Sequence, residues 1–245
     1  MLVDKVILAS NEKKEYLDFW PIVSEAWKKL GVEPLLIYTG KKNINLEGNV
    51  VNFHIKNLDS TFTAQCIRLL APSLFTNSSS IISDIDSLPL SKDYFINSVK
   101  NISESKFIIY RPDGAAKNMI PICWNLAKGR LWSEIFNINS ENDIVKKLRK
   151  WYVIENKLLK KGWYTDQIIL KKAISKYEKT NKNKVIRLND NLLNFQRFNR
   201  VRLNEDLHRM ELDNVVFKEF HMPRPYHEHA EIINKVYNKH KIYLE

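Results

Sequence analysis

Cysteine is nearly absent from this chain. Its 245 residues include two, Cys66 and Cys123, both in apolar surroundings and neither at a metal-ligand spacing. That argues against a disulfide framework or a zinc module and predicts a reduced, cytoplasmic protein. Long apolar runs are missing as well. The longest are a few residues, against the ~20 needed to cross a bilayer, so no transmembrane segment is expected. The opening "MLVDKVILAS" carries Asp4 and Lys5 inside its apolar stretch. It has neither a basic n-region nor an apolar h-region, and it reads as a first strand, not a signal peptide. No Walker-type loop or GxGxxG is present to cradle phosphates. Zinc-finger spacing, an RNP aromatic motif, a KH loop and internal repeats are absent too.

Acids are the scarcer charge. Lys and Arg number 39 against 28 Asp and Glu, a formal net charge of +11. Such a surplus favours anionic partners: nucleic acid, an anionic membrane surface touched peripherally, or phosphate-bearing substrates. The basic residues gather in "KKLRKWYVIENKLLKKGWY" and in residues 171–184. A solvated helix surface explains them equally well.

What is present is an alternation of strands and helices. "VDKVIL" reads as a strand. Phe19, Ile22, Val23, Ala26, Trp27 and Leu30 then recur at helical spacing, with Pro21 near the start and Gly31 as the stop. "PLLIYTG" and "NVVNFHI" read as strands, "TAQCIRLLAPSLF" as a helix up to Pro72, and "SSIISDID" as the next strand. "KFIIYR" and "KVIRL" are later strands. "IVKKLRKWYVIENKLLKKG", "DQIILKKAISKYEK" and "PYHEHAEIINKVYNKHKIYL" are helices. This order predicts an α/β fold, a mixed, mostly parallel central sheet flanked by helices. With 44% hydrophobic residues, residues 1–245 suit one domain.

The most pointed feature is "IISDIDSLPL". Alternate strand residues share a face, so Asp84 and Asp86 are expected on one side and Ile85 on the other. At ~3.3 Å per residue their α-carbons would lie roughly 6.5 Å apart, close enough to engage one divalent cation. In open α/β sheets ligands gather at the carboxyl ends of the strands. A turn cap before "LSKDYF" is the plainer use of such acids.

An apolar strand ending in Asp-x-Asp after a helix bearing "QCIRLLAP" resembles the nucleotide-sugar glycosyltransferases of the GT-A fold. It is most similar to the retaining enzymes around family 8 and to the small chlorella-virus-type glycosyltransferases. Other segments match in the same chain order. "ILASNEKKEYLDFWPIVSEAWKKLGVEP" resembles their uridine-binding strand and helix. "IPICWNLAKG" resembles the segment near the donor sugar, "GWYTDQIIL" the Asp-Gln motif, and "FHMPRPYHEH" the C-terminal His segment.

The resemblance implies a Rossmann-like GT-A domain whose C-terminal segment, about 222–245, completes the donor site. It implies a UDP-sugar donor, a glycan or glycoprotein acceptor, and Mn²⁺ or Mg²⁺ held by Asp84, Asp86 and His221. Carboxylates suit either ion and an imidazole tilts the choice toward Mn²⁺. Ala9, Ser10, Asn11, Arg68, Ser83, Ile85 and Arg224 would bind the nucleotide. Arginine's planar fork matches phosphate. Here "PRPY" departs from the Gly and Lys that follow the His in family 8, so the Arg224 role leans on the viral type. Asn125 and Lys128 would face the donor sugar. Asp166 and Gln167 would be catalytic, stabilising an oxocarbenium-like centre. An ordinary helix N-terminus is the plainer reading, with Thr165 as the cap and Asp166 favouring the helix dipole. Two other readings stand beside this one. The first is a nucleic-acid-binding protein using Trp151, Tyr152, Trp163 and Tyr164 among the lysines. The second is a different metal-dependent enzyme acting on nucleoside diphosphates.

Overall fold

The first strand, β1 (Lys5–Ser10), is third of the seven strands of the main sheet. Val6, Ile7 and Leu8 are fully buried, as expected for a strand covered on both faces. The computed structural model describes residues 1–158 and 162–244. β1 pairs in parallel with β2 (Glu33–Tyr38) on one side and β4 (Ser79–Ile82) on the other. With β3 (Val50–Asn52), β6 (Phe107–Ile109), β7 (Asn125–Lys128) and β8 (Val185–Arg187) they form one sheet in the order β3-β2-β1-β4-β7-β6-β8. β7 runs antiparallel to both its neighbours and makes the sheet mixed.

A second, three-stranded sheet stands at its edge in the order β5-β10-β9, from β5 (Ser87–Pro89), β9 (Arg197–Asn199) and β10 (Glu219–His221). It was not expected. Three-residue strands leave no readable period-2 pattern.

The helices are α1 (Lys14–Leu17), α2 (Trp20–Lys29), α3 (Ser60–Ile67), α4 (Lys92–Phe95), α5 (Gly129–Phe136), α6 (Glu141–Leu158), α7 (Thr165–Thr180), α8 (Leu203–Glu211) and α9 (Tyr226–His240). α2 forms where the apolar spacing says it should. Pro21 sits in its first turn, where the missing N–H costs nothing. Gly31 follows its end at φ 77°, the left-handed conformation glycine adopts without strain. α3 starts at Asp59, whose side chain accepts from the Phe62 amide at 2.7 Å. It stops at Ile67, four residues short of the sequence expectation, and the chain turns at Arg68.

Phe62, at the start of α3, packs against Tyr152 of α6, and Trp151 packs against Phe136. Two of the four aromatics that suggested nucleic-acid stacking thus serve helix packing. Lys160 and Lys161 of the basic run lie outside the described residues. Among the described residues, no helix is long and apolar enough to cross a membrane.

Candidate active site

β1 and β4 run in the same direction, so their carboxyl ends share one edge of the sheet. A cleft of about 250 Å³ opens there. β4 stops at Ile82, and residues 83–86 form a turn that links the main sheet to the small one. The strand geometry expected for Asp84 and Asp86 is therefore corrected. In a turn the side-chain alternation lapses, and Asp84, Ile85 and Asp86 all line the cleft.

Strand register assembles the rest. In the small sheet His221 stands opposite Ser87 on one side and Asn199 on the other. The next position in each strand brings Asp86, Met222 and Arg200 together. The Met222 amide donates to the Asp86 carbonyl at 2.9 Å, and Arg200 Nη1 reaches the Met222 carbonyl at 3.3 Å. Arg200 Nη1 also donates to Asp86 Oδ2 at 2.8 Å. His221 Nε2 and Arg224 Nε each lie 3.7 Å from the same oxygen. Burial, with the Asp84 charge beside it, pushes the Asp86 carboxyl up to about 6 against the pull of Arg200. Burial also lowers His221, so its imidazole is neutral at neutral pH.

Arg68 is the hub of the other half. The early end of α3 aims its side chain beneath the acid turn, where it is almost fully buried. Nε donates to the Gln65 carbonyl at 3.3 Å and Nη1 to the Ser83 carbonyl at 3.2 Å. Nη1 also pairs with Asp84 Oδ1, and Nη2 donates to Asp166 Oδ2 at 3.1 Å. Cys123 closes the arrangement: its Sγ donates to Asp84 Oδ2 at 3.0 Å and accepts from the Asp84 amide at 2.9 Å. Burial resists ionisation of Asp84, but Arg68 and Cys123 outweigh it and hold the carboxyl below its ordinary range. Asp166 is less favoured. Burial pushes it up to about 6 despite Arg68. Asp166 stands in the first turn of α7, and its Oδ1 accepts from the Gln167 amide at 2.8 Å. Its charge suits the positive end of the helix dipole, and it faces the cleft with Gln167 beside it.

Ala9, Ser10 and Asn11, at the end of β1, form another part of the wall. Asn11 is fixed by a 2.9 Å bond to Thr61 Oγ1. Arg224 donates to the Tyr16 hydroxyl and lies over its ring at 4.7 Å. The sequence reading missed Lys13, Tyr16, Gln65, Trp163 and Arg200 as lining residues. Trp163, part of "GWYTDQIIL" and one of the aromatics of the nucleic-acid reading, is 59% exposed there.

Three expected residues are not brought into the cleft. Asn125 is fully buried within β7, its amide donating to the carbonyls of Pro121 and Ile122 at 2.8 and 2.9 Å. Lys128, at the other end of that strand, pairs with Glu104 at 3.1 Å. Ser83 is buried behind the turn, its hydroxyl accepting from Trp124 Nε1 at 2.9 Å. β7 runs through mid-sheet, so Asn125 points into the core, while Lys128 leaves the strand at the end away from the cleft.

The donor set of Asp84, Asp86 and His221 suits Mn²⁺ or Mg²⁺ in kind: two hard carboxylates and a neutral imidazole. Asp86 and His221 already approach each other around one point. Asp84 has both oxygens engaged by Arg68 and Cys123. Among the described residues, no three His, Cys, Asp or Glu side chains form a ready metal cluster.

No family model matches the chain, and no curated protein matches it. Solved structures do. The galactosyltransferase LgtC, in complex with donor and acceptor sugar analogs, aligns with TM-score 0.50 at 12% identity over 96% of this chain and 95% of its own. An active-site mutant of LgtC gives TM-score 0.52 at 13% identity with the same coverage. A glycosyltransferase involved in glycosylating the major capsid of PBCV-1 aligns at TM-score 0.47 and 12% identity, over 95% of this chain and 100% of that one. GlyE of Streptococcus pneumoniae TIGR4 aligns at TM-score 0.46 and 14% identity over 90% of this chain, which spans 55% of that structure and 64% of its apo form. The likeness to LgtC extends over nearly the whole of both chains and gives the fold: a GT-A fold, a mixed and mostly parallel sheet between helices.

Proposed function

We propose that this protein is a glycosyltransferase that moves a sugar from a UDP-sugar donor to a glycan or glycoprotein acceptor, with retention at the anomeric carbon. The observation that carries the reading is the pair of linked carboxylates at the sheet edge. Asp84 and Asp166 share the Arg68 guanidinium, and Asp86 and His221 stand beside them in one cleft of a GT-A fold.

In this reading the wall built from Ala9, Ser10 and Asn11 receives uridine. The diphosphate lies across the acid turn toward Arg224. A divalent ion held by Asp84, Asp86 and His221 would supply Lewis-acid stabilisation of the departing diphosphate. The residues lining the cleft include four cations, Lys13, Arg68, Arg200 and Arg224, against three carboxylates. The protein thus adds positive charge of its own toward an anionic donor. Asp166 and Gln167 face the sugar. A carboxylate and an amide held in a water-poor site stabilise positive charge developing at the anomeric carbon. Arg68 keeps Asp166 oriented and ionised without touching the sugar.

A thermal-shift panel of UDP, GDP, CDP and UDP-sugars tests this, with and without Mn²⁺. A ligand of the native state raises the melting temperature. UDP with Mn²⁺ should raise it most. Equal shifts with all three nucleotides would remove uridine from the proposal. No shift with any, together with steeply salt-dependent binding of single-stranded nucleic acid, would replace it with the nucleic-acid reading.

A further inference from the structure

Two arginines near the acid turn differ in what their donors do. A guanidinium carries five N–H groups. Arg68 directs Nε, Nη1 and Nη2 at protein acceptors: the Gln65 and Ser83 carbonyls, Asp84 and Asp166. It has little left for a ligand. Arg200 hydrogen-bonds through Nη1 alone, to Asp86 and the Met222 carbonyl. Among the described residues its Nε and Nη2 have no protein acceptor, and the side chain lines the cleft.

The surroundings of Asp86 add to this. One carboxylate, its side chain 10% exposed, faces Arg200, Arg224 and His221. Two guanidiniums share that one carboxylate, and over the whole lining four cations face three carboxylates, so net positive charge faces the cleft. Arg224 is fixed from its other side by Tyr16. Arg200 is fixed by strand register, since β9 pairs with β10 and sets it level with Met222. Two guanidiniums held on separate elements, with donors left over and one shared anchor, form a clamp that fits a bridging polyanion. Arginine's fork binds two phosphate oxygens at once.

We infer that Arg200, with Arg224, forms the diphosphate subsite of the cleft, binding the two phosphates of a nucleoside diphosphate directly. Asp86 then acts as the clamp's anchor, holding Arg200 in place before the ligand arrives. This extends the donor reading above and rests on it only for the nucleoside part. The subsite itself recognises the diphosphate whatever base is attached.

Titration calorimetry with inorganic pyrophosphate, UDP and uridine, in EDTA so that no metal carries the phosphates, separates the two ideas. The parent should bind pyrophosphate and UDP. Arg200→Met should weaken both by 10-fold or more, about 1.4 kcal/mol, and leave uridine unchanged. Should the methionine variant not fold, Arg200→Gln keeps a donor for Asp86 while removing the charge and gives the same comparison. If UDP and uridine fail to bind but pyrophosphate binds and is lost in the variant, the UDP reading falls and the clamp stands. If the parent does not bind pyrophosphate, or the variant binds it and UDP as the parent does, Arg200 is only a counter-charge to Asp86 and the inference is overturned.

Discussion

Arg68 Nη2 lies 3.1 Å from Asp166 Oδ2, across 98 residues of sequence, while Nη1 of the same guanidinium pairs with Asp84. One buried cation thus ties the acid turn after β4 to the start of α7. Removing one partner of a buried ionic group leaves the others uncompensated, at a cost of about 3–5 kcal/mol. Arg68→Met should therefore unfold at markedly lower denaturant concentration, with an unchanged slope. A variant as stable as the parent would show that the two carboxylates tolerate each other without it.

Asp84 and Asp86 should respond differently to the same substitution. Both oxygens of Asp84 accept, one from Arg68 and one from Cys123. An amide there sets a donor against a donor, and an unsatisfied buried group costs about 1–3 kcal/mol. Asp86 carries a charge that burial already disfavours, and its neighbours are partly exposed. Asp84→Asn should lose stability by about that amount, Asp86→Asn by less. Both should weaken Mn²⁺-dependent UDP binding by about 10-fold or more, or about 1.4 kcal/mol. Chemical denaturation and nucleotide titration check the two halves separately. Normal binding in both variants would reduce the pair to a turn cap.

Lys128, unlike the buried Asn125, yields a prediction of no effect. Lys128 pairs with Glu104 at the far end of β7, and such partly exposed pairs contribute about 0–1 kcal/mol. Lys128→Ala should leave donor hydrolysis and nucleotide affinity within about twofold of the parent, a difference under 0.5 kcal/mol. A large fall in hydrolysis would mean the sugar reaches β7 after all.

These two residues mark where sequence reading stops. "IPICWNLAKG" has the right composition for a polar lining, but which face a strand residue presents depends on its neighbours. Pairing with β4 and β6 turns Asn125 inward. The opposite holds for α2 and for Asp84, Asp86, Asp166 and His221. Long apolar spacing and ordered motifs carry those, and they do meet in one cleft. Arg200 was illegible for a different reason. "QRFNRVR" has no period. Only the alignment of β9 against β10, a contact between positions 22 residues apart, brings that arginine to Asp86. Pairing between such short strands is decided by tertiary packing and leaves no local trace.

The last expectation concerns pH and the two residues, Asp166 and Gln167, that the proposed function sets against the sugar. Burial pushes the Asp166 carboxyl up to about 6. If its ionised form stabilises the reacting centre, that form is complete well above pH 6 and is lost as pH falls through 6. Donor hydrolysis at saturating UDP-sugar should then be level near pH 8 and fall toward tenfold per unit below 6, since kcat reports groups in the donor complex. Asp86 titrates in the same range, but losing it weakens donor binding, which saturation hides. Asp166→Asn should bind UDP as the parent does, hydrolyse the donor about 10²–10³-fold more slowly, and show no acid limb. Gln167→Ala removes an amide that does not titrate. It should be slower too, with kcat and kcat/KM reduced together as for an interaction made in the transition state, yet keep the limb near 6. An acid limb that persists in Asp166→Asn would assign the titration elsewhere. Unchanged hydrolysis in both variants would leave Asp166 as a first-turn charge on the α7 dipole and nothing more.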